Sequence, residues 1–174
     1  DMTPEPIFTL SDEAKVFLDR MDKSKEVTII FCDERDAWEA DTLMMEVLKT
    51  ARDIENDYDN VTVKYVDIYT NPSAVNGYRE SSGKDITTQS VIVTCGSSSR
   101  VYTLENFFKL NEDSYVIGYN GEQTMVSGLL SVTQASAPIA ALAVNHGEVY
   151  SEAFTTLLSQ IGFKCGFSNG HFVF

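Results

Sequence analysis

Cys32 closes the apolar run Val27-Thr28-Ile29-Ile30-Phe31-Cys32 and is followed by Asp33-Glu34-Arg35. A thiol at the end of a buried strand can do redox chemistry if a second thiol stands three residues on, and none does here. The adjacent acids disfavour a thiolate and Arg35 favours one. A second polar cluster, Asn145-His146-Gly147-Glu148, follows the apolar run Ile139 to Val144 and leads into a helical pattern. Ligands of open α/β sheets bind at such carboxyl ends of strands. Asn145, His146 and Glu148 are therefore the candidate ligand-binding residues, with His146 a hydrogen-bonding or acid–base group beside Glu148. The competing reading is a tight turn at Gly147 with His146 capping or exposed. No residue is singled out as catalytic.

Metal chemistry is not supported. Zinc needs three or four converging ligands, and His146 and His171 have no Cys or His partner at ligand spacing. Asp57-Tyr58-Asp59 opens like a calcium loop, but Thr62 and Ile68 occupy the positions that require glycine and glutamate. No glycine-rich loop precedes a helix, and no Gly-x-Ser-x-Gly elbow is present. No cofactor is expected.

These residues must be positioned by a folded domain. The 174-residue chain is 43% hydrophobic and 22% charged, which is a globular composition. Its net charge of −13 repels phosphate backbones and anionic lipid, so nucleic acid is not expected as a partner. Three cysteines do not make a disulfide framework. There is no run of 18 apolar residues and no recognisable signal peptide. The chain stops at His171-Phe172-Val173-Phe174, which reads as a strand cut short and suggests a fragment.

Apolar periodicity gives the elements. Ser11 caps a helix predicted to run to about Asp22. Val27–Cys32 is apolar on both faces and reads as a central strand. Asp33 to Asp36 reads as a charged loop. A long helix is predicted from about Trp38 to Asn56, with a stripe of Ala40, Leu43, Met44, Val47, Leu48, Ala51 and Ile54. Val61-Thr62-Val63-Lys64-Tyr65 alternates and suits a position nearer a sheet edge. Residues 73–85 hold a short helix or a loop. Val91-Ile92-Val93 is a second central strand, with Arg100–Leu104 its hairpin partner. Glu105 to Leu110 is ambiguous, Tyr115–Tyr119 suits a strand, and a helix follows from about Glu122 to Val132. After Ala135-Ser136-Ala137-Pro138 come a strand at Ile139, a helix from about Val149 and a strand beginning at Phe163.

With a right-handed crossover, strand 61 lies parallel to strand 27, while strand 90 lies on its other side with strand 100 beyond. The fold class is therefore α/β: a thioredoxin-like mixed sheet flanked by helices over residues 1–133. Residues 134–174 begin a second β-α-β unit, packed on the first or cut short. The thioredoxin chemistry is missing. There is no Cys-x-x-Cys, and Thr87-Thr88-Gln89-Ser90 has no proline where thioredoxins carry a cis-proline. If strands 27 and 90 are antiparallel, Cys32 and Cys95 sit at opposite ends of the sheet. They then lie beyond the roughly 7 Å Cα separation that a disulfide tolerates.

Val61 to Asp67 followed by Asn71-Pro72, then Ser90–Val93, then Gly121-Glu122 leading into a helix and Asn145-His146-Gly147-Glu148, together form a pattern. It resembles the extracytoplasmic domain of GldG-like proteins, auxiliary components of ABC-type transport systems, some linked to gliding motility. A related domain occurs in intraflagellar transport proteins. The resemblance spans about Phe8 to Phe163; Asn145 stands where that family usually has glycine. It implies a domain held outside the cytoplasm by flanking transmembrane helices that this chain lacks. The implied partners are the transporter's membrane or ATPase subunits, or an extracytoplasmic protein. It implies no catalytic residues. The alternatives are a small-ligand receptor or enzyme using Asn145 to Glu148, and a degenerate redox protein using Cys32.

Overall fold

The computed structural model describes residues 10–134 and the short strands at 166–168 and 171–173. Four strands make one mixed sheet: β1 (Val27–Phe31), β2 (Val61–Tyr65), β3 (Val91–Cys95) and β4 (Ser98–Tyr102), in the order β2-β1-β3-β4. β1 runs parallel to β2 and antiparallel to β3, and β3 and β4 form an antiparallel hairpin. This is the thioredoxin-like order that hydrophobicity predicts. The two continuously apolar strands are central, and the alternating β2 lies at an edge.

Side-chain alternation divides the core between two faces. Val27, Ile29 and Phe31 of β1 join Val91 and Val93 of β3 in the larger cluster. It is covered by α1 (Asp12–Leu18), α3 (Thr42–Asp57) and α5 (Gly121–Thr133). Ile30 and Cys32 face the other way and pack with Ile92, Val101, Val75 and Ile86. The cover there is a 3₁₀ turn (Pro72–Val75) and α4 (Asn76–Ser82). α5 is buried almost all round, from Thr124 to Leu130 without interruption. It packs against α1 and α3 as well as the sheet. Gly128 makes that approach possible, because a Cβ there would lie 3.1 Å from both Tyr102 and Val93.

Three local expectations change. The helix predicted from Trp38 to Asn56 is two helices, α2 (Arg35–Ala40) and α3. Asp41 separates them in an extended conformation, and its carboxylate accepts from Leu43 N and Met44 N, each at 2.9 Å. A short acidic side chain that caps so well ends one helix and starts the next. Ala40 consequently leaves the buried stripe and is exposed. Second, Arg35 and Asp36 are helical rather than part of a loop. Third, α1 stops at Leu18, and the tighter bonds Arg20 N to Phe17 O and Met21 N to Leu18 O carry Met21 back into the core. The ambiguous stretch before Leu110 resolves into a 3₁₀ turn (Leu104–Phe107) and β5 (Phe108–Leu110). β5 pairs with β6 (Val116–Tyr119) as a separate two-stranded sheet.

The strand, loop and helix expected over Ile139 to Cys165 lie outside the described residues. At the end of the chain β7 (Gly166–Ser168) pairs with β8 (His171–Val173). The strand expected at His171 is therefore present.

Two substitutions calibrate these forces. Asp41→Ala removes a cap and is expected to cost about 1 kcal/mol. Leu48→Ala empties a fully buried site and is expected to cost about 2–5 kcal/mol. Urea denaturation of both variants measures the ratio, and equal losses would show that Asp41 does more than cap α3.

Candidate functional site

The carboxyl ends of β1 and β2 are where an open sheet of this kind places ligands. Here they are filled. Trp38, on the first turns of α2, is completely buried and meets Phe31 edge-on at 4.7 Å between ring centres. Beside it, Arg52 on α3 donates to Glu39 at 2.8 Å and to the Tyr65 hydroxyl at 2.9 Å. Arg35 also donates to Glu39. Arg35, Glu39 and Arg52 are thereby committed to one another.

Cys32 is completely buried. Burial raises its thiol from an ordinary 9.0 to about 12, against a weak opposing effect of Arg79. Desolvation thus decides the matter, and the flanking acids and Arg35 that sequence reasoning weighed do not. Cys32 and Cys95 are both free, at opposite ends of the antiparallel β1–β3 pair. No cis peptide bond occurs among the described residues. Asn145, His146 and Glu148 lie outside the described residues.

Two concavities are lined by described residues. One, of about 120 Å³, is lined by Leu10, Glu46, Lys49, Thr50, Asp53, Tyr119 and Glu122. Metabolite-sized ligands occupy about 300–1,000 Å³, so this space suits a few waters. Its hydroxyls satisfy one another: Thr50 Oγ1 and Tyr119 OH lie 2.6 Å apart, and Tyr119 OH reaches the Glu46 carbonyl at 3.1 Å. Burial, then the charges of Asp57 and Glu122, push the Asp53 carboxyl upward. The other concavity is an open groove of about 700 Å³ lined by Lys15, Asp19, Lys23, Asp57, Tyr58, Asp59 and Asn60. Tyr58 OH donates to Asp19 at 2.8 Å, and the Lys23 ammonium lies 5.9 Å from the Tyr58 ring centre. Asn60 Oδ1 is buried without a partner. Among the described residues no cluster of three or more His, Cys, Asp or Glu could hold a metal ion.

The residues of the sequence pattern have structural work. Asp67 accepts from Tyr69 N at 2.9 Å, and its carbonyl accepts from Asn71 N at 3.0 Å. This turns the chain into Pro72 at the start of the 3₁₀ turn. A Cβ at Gly121 would run into the ring of Tyr119. Glu122 accepts from Ser11 N at 2.9 Å and so ties α5 to the cap of α1.

The strand expected at Tyr115–Tyr119 is present as β6, but its exposure is not foreseen from the sequence. Tyr115 is 70% exposed, Val116 44% and Ile117 66%. The alternation that marks a buried strand face is absent from this stretch, and that absence was the available signal.

Cys32 is expected to resist a thiol reagent at pH 8 in the native chain and to react after denaturation. Because its folded value lies above 9.0, its contribution to stability is full below about pH 9 and is lost as pH rises toward 12. Rapid native labelling at Cys32 would contradict this. Gly121→Ala must displace Tyr119 and is expected to cost roughly 1–3 kcal/mol in thermal unfolding.

No family model, curated protein or solved structure matches the chain, so the case for its role stands on these residues and their geometry.

Proposed function

We propose that this chain is a non-enzymatic binding domain, the extracytoplasmic part of a membrane-anchored accessory protein of an ABC-type transport system. The observation that carries the binding reading is the closed carboxyl end of the sheet. Trp38 and the Arg35–Glu39–Arg52–Tyr65 network occupy the place where such a fold does chemistry, and the nearby thiol is sealed. Catalysis needs a reacting group that substrate can reach, and this end offers none. The transport reading is supported by the resemblance in Val61–Asp67, Asn71-Pro72 and Gly121-Glu122. These residues brace junctions between elements, as expected of a scaffold. The partner is a membrane or ATPase subunit of the transporter, or a protein outside the membrane. No helix among the described residues is long and apolar enough to cross a membrane, so the proposed anchor is supplied by flanking sequence.

The experiment is topological labelling of the full-length protein in its native cells. Ser97 is exposed in the β3–β4 turn. A Ser97→Cys, Cys95→Ser protein is expected to react with a membrane-impermeant maleimide in intact cells, and to co-purify with ABC-transporter subunits. Labelling only after lysis would remove the extracytoplasmic placement. Purification without any transporter subunit would remove the transport role.

A further inference from the structure

The main sheet has two edges, and both are guarded. On β2 the Val63 N–H is donated to Glu55 Oε2 of α3 at 2.6 Å. On β4 the Val101 carbonyl accepts from Lys84 Nζ at 3.2 Å. Side chains that occupy edge donors and acceptors stop foreign strands from adding there. β6 is built in the opposite way. Among the described residues it pairs only with β5, and no side chain bonds the backbone of Val116, Ile117 or Gly118. It carries no Pro or Lys, and its Tyr115-Val116-Ile117 run combines strong strand preference with high exposure. A chain that covers backbone groups on both edges of its main sheet and leaves the β6 edge open and apolar is suited to receive a strand there.

The occupant follows from charge. Between residues 104 and 122 stand Glu105, Glu112, Asp113 and Glu122 against the single cation Lys109. Glu112 and Asp113 are exposed at the hairpin tip beside Tyr115. A second copy, itself carrying a net charge of −13, would bring the same acids to this edge, which like-charge repulsion opposes.

We propose that β6 is a strand-addition site for a partner protein, taking an extended apolar segment flanked by Lys or Arg. Main-chain hydrogen bonds supply the pairing, while the exposed apolar side chains and the tip acids select the segment. This rests on the binding-domain reading and names the surface and the partner's chemistry.

The test uses the 174-residue chain and the synthetic peptide Arg-Lys-Val-Tyr-Val-Thr-Val-Lys-Arg. The control is the same peptide with alternate backbone nitrogens methylated, which keeps its charge and removes its ladder donors. Wild-type chain is expected to bind the first peptide at least tenfold more tightly, with slowed hydrogen exchange over residues 115–119. Ile117→Asn is expected to lose at least tenfold in affinity with an unchanged thermal midpoint. Four results would overturn the proposal. They are no binding; equal binding of the methylated control; exchange over 115–119 already slow in the free chain, as when its own residues 135–165 fill the edge; or a dimer that Ile117→Asn dissociates. Transporter subunits that co-purify equally with Ile117→Asn would remove this surface and leave the binding reading intact. Their absence with the wild type would remove the transport reading without touching the peptide result.

Discussion

Burial of β1 on both faces and along both edges is the constraint from which the other elements take their places. A strand in that position is apolar at nearly every residue: Val27, Ile29, Ile30 and Phe31 are buried, and only Thr28 is part-exposed. Its register with Val61–Tyr65 on one side and Val91–Thr94 on the other fixes β2 and β3. The odd residues then demand α1, α3 and α5, and the even ones demand α4 and its 3₁₀ turn. A one-residue slip would exchange the two sets and mispack both cores.

The same constraint shapes what the domain can do. Filling the end of β1 with Trp38 supports Phe31 and closes the usual ligand position. Burial of Cys32 on the second face has a similar effect on its thiol. Polar groups elsewhere are largely paired within the chain, as with Tyr58 and Asp19 or Thr50 and Tyr119. Among the described residues the exposed large apolar side chains, Tyr69 apart, are concentrated at Tyr115–Tyr119, outside the main sheet, where burial does not dictate the sequence.

Much of this was legible in the residues. The order of strands, the parallel β1–β2 pair and the separation of Cys32 from Cys95 all follow from which runs are apolar on both faces and from the hand of the crossover. Asp41 was not legible, because its neighbours keep a helical rhythm and only the capping geometry shows that the helix breaks. Cys32 was rightly read as unsuited to redox work, but from its charged sequence neighbours; desolvation by residues distant in sequence is what sets its state. The guarded edges were hidden too: Glu55 and Val63, like Lys84 and Val101, meet only in three dimensions. The candidate residues Asn145, His146 and Glu148 lie beyond the described residues.

The most direct measurement is site-specific photo-cross-linking of the full-length protein in its native membrane, from position 117 on β6 and from the exposed position 36 on α2. A closed scaffold with one open edge predicts a discrete adduct with a transporter subunit or extracytoplasmic protein from position 117 and none from position 36. An adduct from position 36 alone, beside the closed carboxyl end of β1, would contradict it.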